Sequence, residues 1–274
     1  MRRNKRNIFA DFDVHHHEIV FDLRAAAIPK PNVAIKIRLD LGLCQQQSHS
    51  LSIRFALFIG RMTGSNLTLL PLVPESYFCL GRTETRVSEN SEMARSVFQK
   101  QRALLCRNGI DAPLLALLND FCARVSFVPQ QTDVGHRTIE AGSVAGNAVQ
   151  LVLNRSPFKK WLEEITGCAP LSGIEGKVVK TLPGGIDHLD WHRDTMPGIE
   201  LGMTLHLADC TYVGGGFELR KFKSKRELFR HEKAQAGDVV LFDIKPNVEH
   251  RVLPISQGDA RLVFTGWFVT KGAA

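Results

Sequence analysis

Asp190-Trp191-His192-Arg193-Asp194 and, far downstream, Val248-Glu249-His250-Arg251-Val252 are the two stretches on which the reading of this chain turns. Both lie among short runs rich in Val, Leu, Phe and Thr, the composition of strands. Side chains on a strand alternate between its faces, so His192 and Asp194 are expected to project to one side while Arg193 points away. A His-x-Asp pair with a remote His makes two imidazoles and one carboxylate. Such a set takes one face of an octahedral iron(II) and leaves the opposite positions free for a substrate, a cosubstrate or oxygen.

Outward from these stretches, the chain beyond Cys168 reads as strands: Lys177 to Leu182, His188 to His192, Ile199 to Leu207, Gly216 to Arg220, Asp238 to Asp243, Val248 to Ile255 and Arg261 to Val269. Gly, Pro and Asp turns separate them, which predicts an antiparallel sandwich or barrel. Several are apolar on both faces, as strands covered by helices on one side would be. Upstream, Ser91 caps a predicted helix running to Cys106, Pro113 to Arg124 reads as a second, and Ser156-Pro157 opens a third with Phe158, Trp161, Leu162 and Ile165 on one face and Gly167 as its stop. Gln130 to Gly146 reads as a loop long enough to cover a site. Helices before strands give an α+β class.

Residues 1–90 show no sustained period of 2 or 3.6 and are read as a poorly defined N-terminal extension, leaving 91–274 as the domain, with helical support over about 91–168 and the β core over about 174–270. The His15-His16-His17 run at the terminus is read as incidental, since adjacent residues on a loose chain form no preorganised metal site.

Composition narrows the class. Hydrophobic residues at 44% and charged residues at 23% suit a globular protein, and the apolar runs are too short to span a bilayer. The basic start, Met1-Arg2-Arg3-Asn4-Lys5-Arg6, is followed by acids and histidines rather than an apolar stretch, so no export signal is expected. Six cysteines with no C-x-x-C spacing fit a reducing, cytoplasmic setting. Of the net +7, a surplus of four lies in residues 1–90, where 12 Lys and Arg face 8 Asp and Glu; no aromatic-basic interleaving accompanies it, so nucleic acid is not the expected partner. Val33-Ala34-Ile35-Lys36 with His192-Arg193-Asp194 mimics two kinase signatures, but no glycine-rich loop precedes Lys36 and Ile199 stands where the catalytic-loop Asn belongs.

An ordered set of motifs carries a resemblance. After His192 and Asp194 come Tyr212-Val213-Gly214-Gly215-Gly216-Phe217-Glu218-Leu219, Gly237-Asp238-Val239-Val240-Leu241-Phe242, His250-Arg251-Val252-Leu253-Pro254-Ile255, and Gly258-Asp259-Ala260-Arg261 leading to Gly266-Trp267-Phe268. With 56 residues from Asp194 to His250 and eleven more to Arg261, the run from His188 to Phe268 resembles the iron(II)- and 2-oxoglutarate-dependent dioxygenases, most closely the prolyl-4-hydroxylase-like branch. The resemblance implies a double-stranded β-helix (jelly-roll, cupin-like) core supported by the N-terminal helices. It implies that His192, Asp194 and His250 bind iron(II), that Arg261 meets the distal carboxylate of 2-oxoglutarate, and that Thr265 or Tyr212 supplies a second contact, because Val263 stands where many relatives carry a hydroxyl. The implied reaction uses O2, turns 2-oxoglutarate into succinate and hydroxylates an unactivated C–H of a small molecule, peptide or protein side chain, with ascorbate as a candidate reductant.

His188-x-Asp190 is a rival metal pair by spacing, although a Trp directly before the metal His, as in the family, favours His192. Asp194, where a halogenating relative would need an empty position, argues against halogenation. A non-catalytic cupin-like metal-binding or sensing protein is the alternative, and a nucleic-acid-directed oxygenase using the basic N-terminus a third reading. Trp267 and Phe268 are expected in the core.

Overall fold

The structure is a computed structural model that describes residues 76–88, 91–209, 211–232 and 234–270, together with the backbone of four short strands before them. The chain divides into two units, Met1–Val73 and Pro74–Ala274. In the first, β1 (Ile35–Asp40) pairs antiparallel with β2 (Arg54–Ile59), and β3 (Arg61–Thr63) with β4 (Asn66–Thr68). The histidine run at 15–17 lies outside the described residues.

The second unit runs in order β5 (Phe78–Leu80), β6 (Thr85–Val87), α1 (Ser91–Gln101), β7 (Ala103–Cys106), α2 (Ala112–Ala123), β8 (Phe127–Thr132), β9 (Gly135–Glu140), α3 (Val144–Leu153), α4 (Ser156–Thr166) and β10 (Leu171–Thr181). It continues through β11 (His188–His192), β12 (Ile199–His206), β13 (Tyr212–Gly214), β14 (Phe217–Lys221), β15 (Glu227–His231), β16 (Val239–Asp243), β17 (Val248–Val252), β18 (Ile255–Gly258) and β19 (Arg261–Thr270).

Eleven of these strands form one sheet, ordered β15-β14-β17-β11-β9-β10-β19-β12-β16-β7 with β8 beside β9, and every pairing in it is antiparallel. The sheet curls onto itself. Phe217 of β14 meets Phe242 of β16 at 4.6 Å between ring centres, and His250 of β17 lies 4.8 Å from the same ring, although β16 stands near the opposite end of the strand order. This is the nearly closed, barrel-like sandwich of a double-stranded β-helix, with four helices packed on it.

Alternation along the central strands explains their double apolar character. Leu201, Met203 and Leu205 of β12 and Phe264 and Phe268 of β19 share a core with Phe98 of α1, Leu114 and Leu118 of α2, Val149 of α3 and Phe158, Trp161, Leu162 and Ile165 of α4. The intervening residues line the inside, where Phe217, Leu219, Val240, Phe242 and Val248 cluster against Val252 and Trp267.

Four sequence expectations change. The domain begins before residue 91, because Tyr77, Phe78 and Leu80 are buried in its core and Phe78 packs on Phe158 and Trp161 at 4.6 and 5.1 Å. Strands of three residues each, as in β5 and β6, are too short to display a period. The helix from Ser91 stops at Gln101, where Arg102 takes a left-handed φ of 59°, and Ala103–Cys106 instead pairs with Val239–Phe242. The stretch 130–146 is not a loop: it holds most of the β8–β9 hairpin and the start of α3. Val248 to Ile255 is two strands, interrupted at Leu253-Pro254 because Pro has no N–H to donate to a ladder.

The α3 start shows how tightly the hairpin is tied in. Ser143 makes no side-chain cap, and Glu140 at the end of β9 does the work: its buried carboxylate accepts from the N–H groups of Ala145, Gly146 and Val178 at 2.9–3.3 Å.

Candidate metal centre

β11 and β17 are neighbours, and His192 stands directly opposite His250 in their register. Leu189 pairs with Val252, so between the two pairs β11 spends two residues, Asp190 and Trp191, where β17 spends only Arg251. That extra residue is a β-bulge, and it resets the facing of the strand. Leu189 and His192 both line the interior cavity, whereas the Asp190 side chain is 77% exposed and 3.9 Å from His188. Simple alternation would put Asp190 on the same face as His192; the bulge breaks that, and the rival pair His188-x-Asp190 is not part of the group gathered around His250. Trp191 is turned outward between Arg220 and Arg251, whose guanidinium carbons lie 3.6 and 4.6 Å from its ring centre.

Asp194, two residues beyond the end of β11, returns towards both imidazoles. Its oxygens lie 3.9 Å from His192 Nε2 and 3.6 Å from His250 Nε2, and one potential ligand atom from each of the three residues falls within 4.8 Å of the others. His192 Nδ1 is 2.7 Å from the Asp190 carbonyl, to which only a protonated Nδ1 can donate, which leaves Nε2 as the nitrogen turned to Asp194 and available to a metal. Burial, then the neighbouring His192, holds the His250 imidazole well below its ordinary pKa and hence neutral. Trp267 Nε1 donates to Asp194 Oδ2 at 2.6 Å, fixing the carboxylate plane. Two imidazoles and one oriented carboxylate fit an iron(II) ion.

Arg261, at the start of β19, is 4% exposed, and its Nε has no hydrogen-bond partner. Burial draws its pKa down and Tyr212 offsets part of that. It lines a cavity with Thr181, Thr204, Val263 and Thr265. Thr265 and Thr204 face each other across β19 and β12, and both also line the cavity that holds the His-Asp-His group. Tyr212 is buried on β13 but does not line either cavity.

The sequence profile of the 2OG-Fe(II) oxygenase superfamily matches residues 177–269, the span that contains all of these groups. Residues 177–269 belong to that superfamily. Among solved structures, this oxygenase fold resembles a prolyl-4-hydroxylase from Pseudomonas putida, at 18% identity and a TM-score of 0.51, over 66% of this chain and 100% of that one. It also resembles the non-heme alpha ketoglutarate dependent epimerase SnoN of nogalamycin biosynthesis, at 14% identity and 0.51, over 66% and 83%. A third likeness is a prolyl hydroxylase from Trichoplax adhaerens solved with a hypoxia inducible factor peptide fragment, at 15% and 0.50, over 67% and 90%. These are likenesses of fold. No curated protein matches the sequence. Among the described residues no helix is long and apolar enough to cross a membrane.

Three residues around the site were given no site role by the sequence. Trp267, expected as core, is half-buried and serves Asp194. Thr204 is recognisable only through its register with Thr265. Arg137, on the hairpin read as a loop, lines both cavities and donates from Nε to Gln130 Oε1 at 2.7 Å.

Proposed function

We propose that this chain is a non-haem iron(II), 2-oxoglutarate-dependent hydroxylase in which His192, Asp194 and His250 hold the metal and Arg261 holds the distal carboxylate of the cosubstrate. The observation that carries the reading is the pairing of a His-Asp-His group with a buried, incompletely partnered arginine in cavities that share Thr204 and Thr265 as a wall. A cupin-like metal binder would have no use for that arginine. When bound, iron(II) with 2-oxoglutarate and O2 supplies the oxidising power to hydroxylate an unactivated C–H, the cosubstrate leaving as succinate and carbon dioxide; ascorbate remains the candidate reductant.

The chain's own contribution is geometry and dryness. The Asp190 carbonyl sets the His192 tautomer, Trp267 sets the Asp194 plane, and Phe217, Phe242 and Val252 exclude water beside the metal face. Arg261, buried where its charge is poorly solvated, gains most from a carboxylate that replaces lost hydration. Thr265, with Thr204, is the better second contact to that carboxylate; Tyr212 acts through its interaction with Arg261. The substrate is a small molecule, peptide or protein side chain. The described cysteines are all free, which supports action in the cytoplasm.

The test is an anaerobic titration with iron(II) and 2-oxoglutarate followed by oxygen, scoring succinate with a panel of candidate substrates. Wild type should exceed His192→Ala, and Arg261→Gln should lose cosubstrate binding while keeping iron. Equal loss of both in Arg261→Gln would undo the assigned role, and no succinate above His192→Ala would undo the catalytic reading.

A further inference from the structure

We propose that Arg137 anchors an oxyanion of the substrate, so that the oxygenase acts on a molecule with an apolar body and a carboxylate or phosphate group. The inference rests on the hydroxylase reading and goes beyond it by naming the substrate class. The β8–β9 hairpin places Arg137 where the two cavities meet: β9 is inserted between β11 and β10, and Arg137 lines both the Arg261 cavity and the metal-side cavity.

Its guanidinium is held but not neutralised. Gln130, its partner across the hairpin, takes Nε at 2.7 Å and fixes the plane, and among the described residues no carboxylate lies within ion-pair distance of it. Asp194 is the acid whose charge bears on it, yet the Asp194 oxygens are turned to His192, His250 and Trp267. Asp187, the other acid lining these cavities, accepts from His136, Thr138 and the Leu182 N–H instead.

Charge accounting leaves Arg137 over. The two positive charges of iron(II) and the one each of Arg261 and Arg193 would be balanced by Asp194, Asp187 and the dicarboxylate 2-oxoglutarate. Arg137 then adds an uncompensated cation in a half-buried site, where a planar fork suits a carboxylate or phosphate. The lining of the metal-side cavity also includes the apolar side chains of Met196, Phe217, Phe242 and Val252, which suit a hydrocarbon portion of the substrate. Thr195 adds a hydroxyl to the same lining.

The experiment uses the full chain under anaerobic conditions. Iron and 2-oxoglutarate affinities are measured first, and the visible absorption of the loaded protein then reports binding of probes. The probes are aliphatic and aromatic carboxylic acids beside their primary amides, and phosphate monoesters beside their parent alcohols; the two arms tell carboxylate from phosphate. Wild type should respond to oxyanions and not to their neutral counterparts. Arg137→Gln should weaken that response about 10-fold or more, as loss of a charged hydrogen bond would, and Arg137→Lys should fall between. Iron and 2-oxoglutarate affinities should stay within about twofold in both variants, a smaller change than loss of one ordinary hydrogen bond would give. Equal binding of acids and amides, no oxyanion response in wild type, or loss of 2-oxoglutarate in Arg137→Gln as deep as in Arg261→Gln would each overturn the anchor. Failure of wild type to take up iron and 2-oxoglutarate at all would sink the hydroxylase reading itself, and the anchor with it.

Discussion

Replacing Trp267 with Phe removes one N–H and little else. The indole is half-buried on the inner face of β19, donates to Asp194 Oδ2 at 2.6 Å, and packs with the Phe217 and Phe242 cluster, a role a phenyl ring largely keeps. The lost bond is to an ionised acceptor, worth about 1.5–3 kcal/mol. If the carboxylate ligates iron, that orientation energy appears in metal affinity, where loss of such a supporting contact costs about 10–100-fold, or about 1.4–2.8 kcal/mol. Anaerobic iron(II) titration, repeated with manganese(II) to avoid oxidation, measures it. Trp191→Phe is the control, because Trp191 lies outside between Arg220 and Arg251. Wild-type affinity in Trp267→Phe, or an equal loss in both variants, would refute the view that the indole positions a metal ligand.

Glu140→Ala leaves the Ala145, Gly146 and Val178 N–H groups without their acceptor and should cost about 1–3 kcal/mol or more in urea unfolding; a change of a few tenths would show that Ser143 or water replaces it. His206, buried on β12, has its pKa pushed well down by burial and then by Arg261, His231 and Arg107. The unfolded chain therefore binds a proton below about pH 6.5 that the folded protein refuses, so stability holds above that pH and falls on acidification by about 1.4 kcal/mol per pH unit for this group. His206→Asn should flatten the metal-free stability profile between pH 5 and pH 6.5, and parallel profiles would count against the assignment.

The fold was legible where one residue type repeats against one partner. The α4 stripe of Phe158, Trp161, Leu162 and Ile165, closed by Gly167 at φ 68°, is where the sequence places it, and β11 runs from His188 to His192 as read. The β8–β9 hairpin was not legible, because most of its side chains are polar on both faces and its strand character comes from inserting β9 between β11 and β10. Ala103–Cys106 carries helix formers, yet pairing with β16 overrides that preference.

The residues of the centre are written in the chain itself: two histidines, an aspartate and a distant arginine, whose order and spacing carry the resemblance to iron(II)- and 2-oxoglutarate-dependent dioxygenases. Which of the alternating side chains gather with His250 was decided only by the tertiary structure. Strand alternation alone gives His188, Asp190, His192 and Asp194 equal standing, and a single extra residue opposite Arg251 breaks the tie by turning Leu189 and His192 inward. A bulge is a property of two strands in register, not of one strand's pattern, and so is the meeting of Arg137, Trp267 and Thr204 around the site.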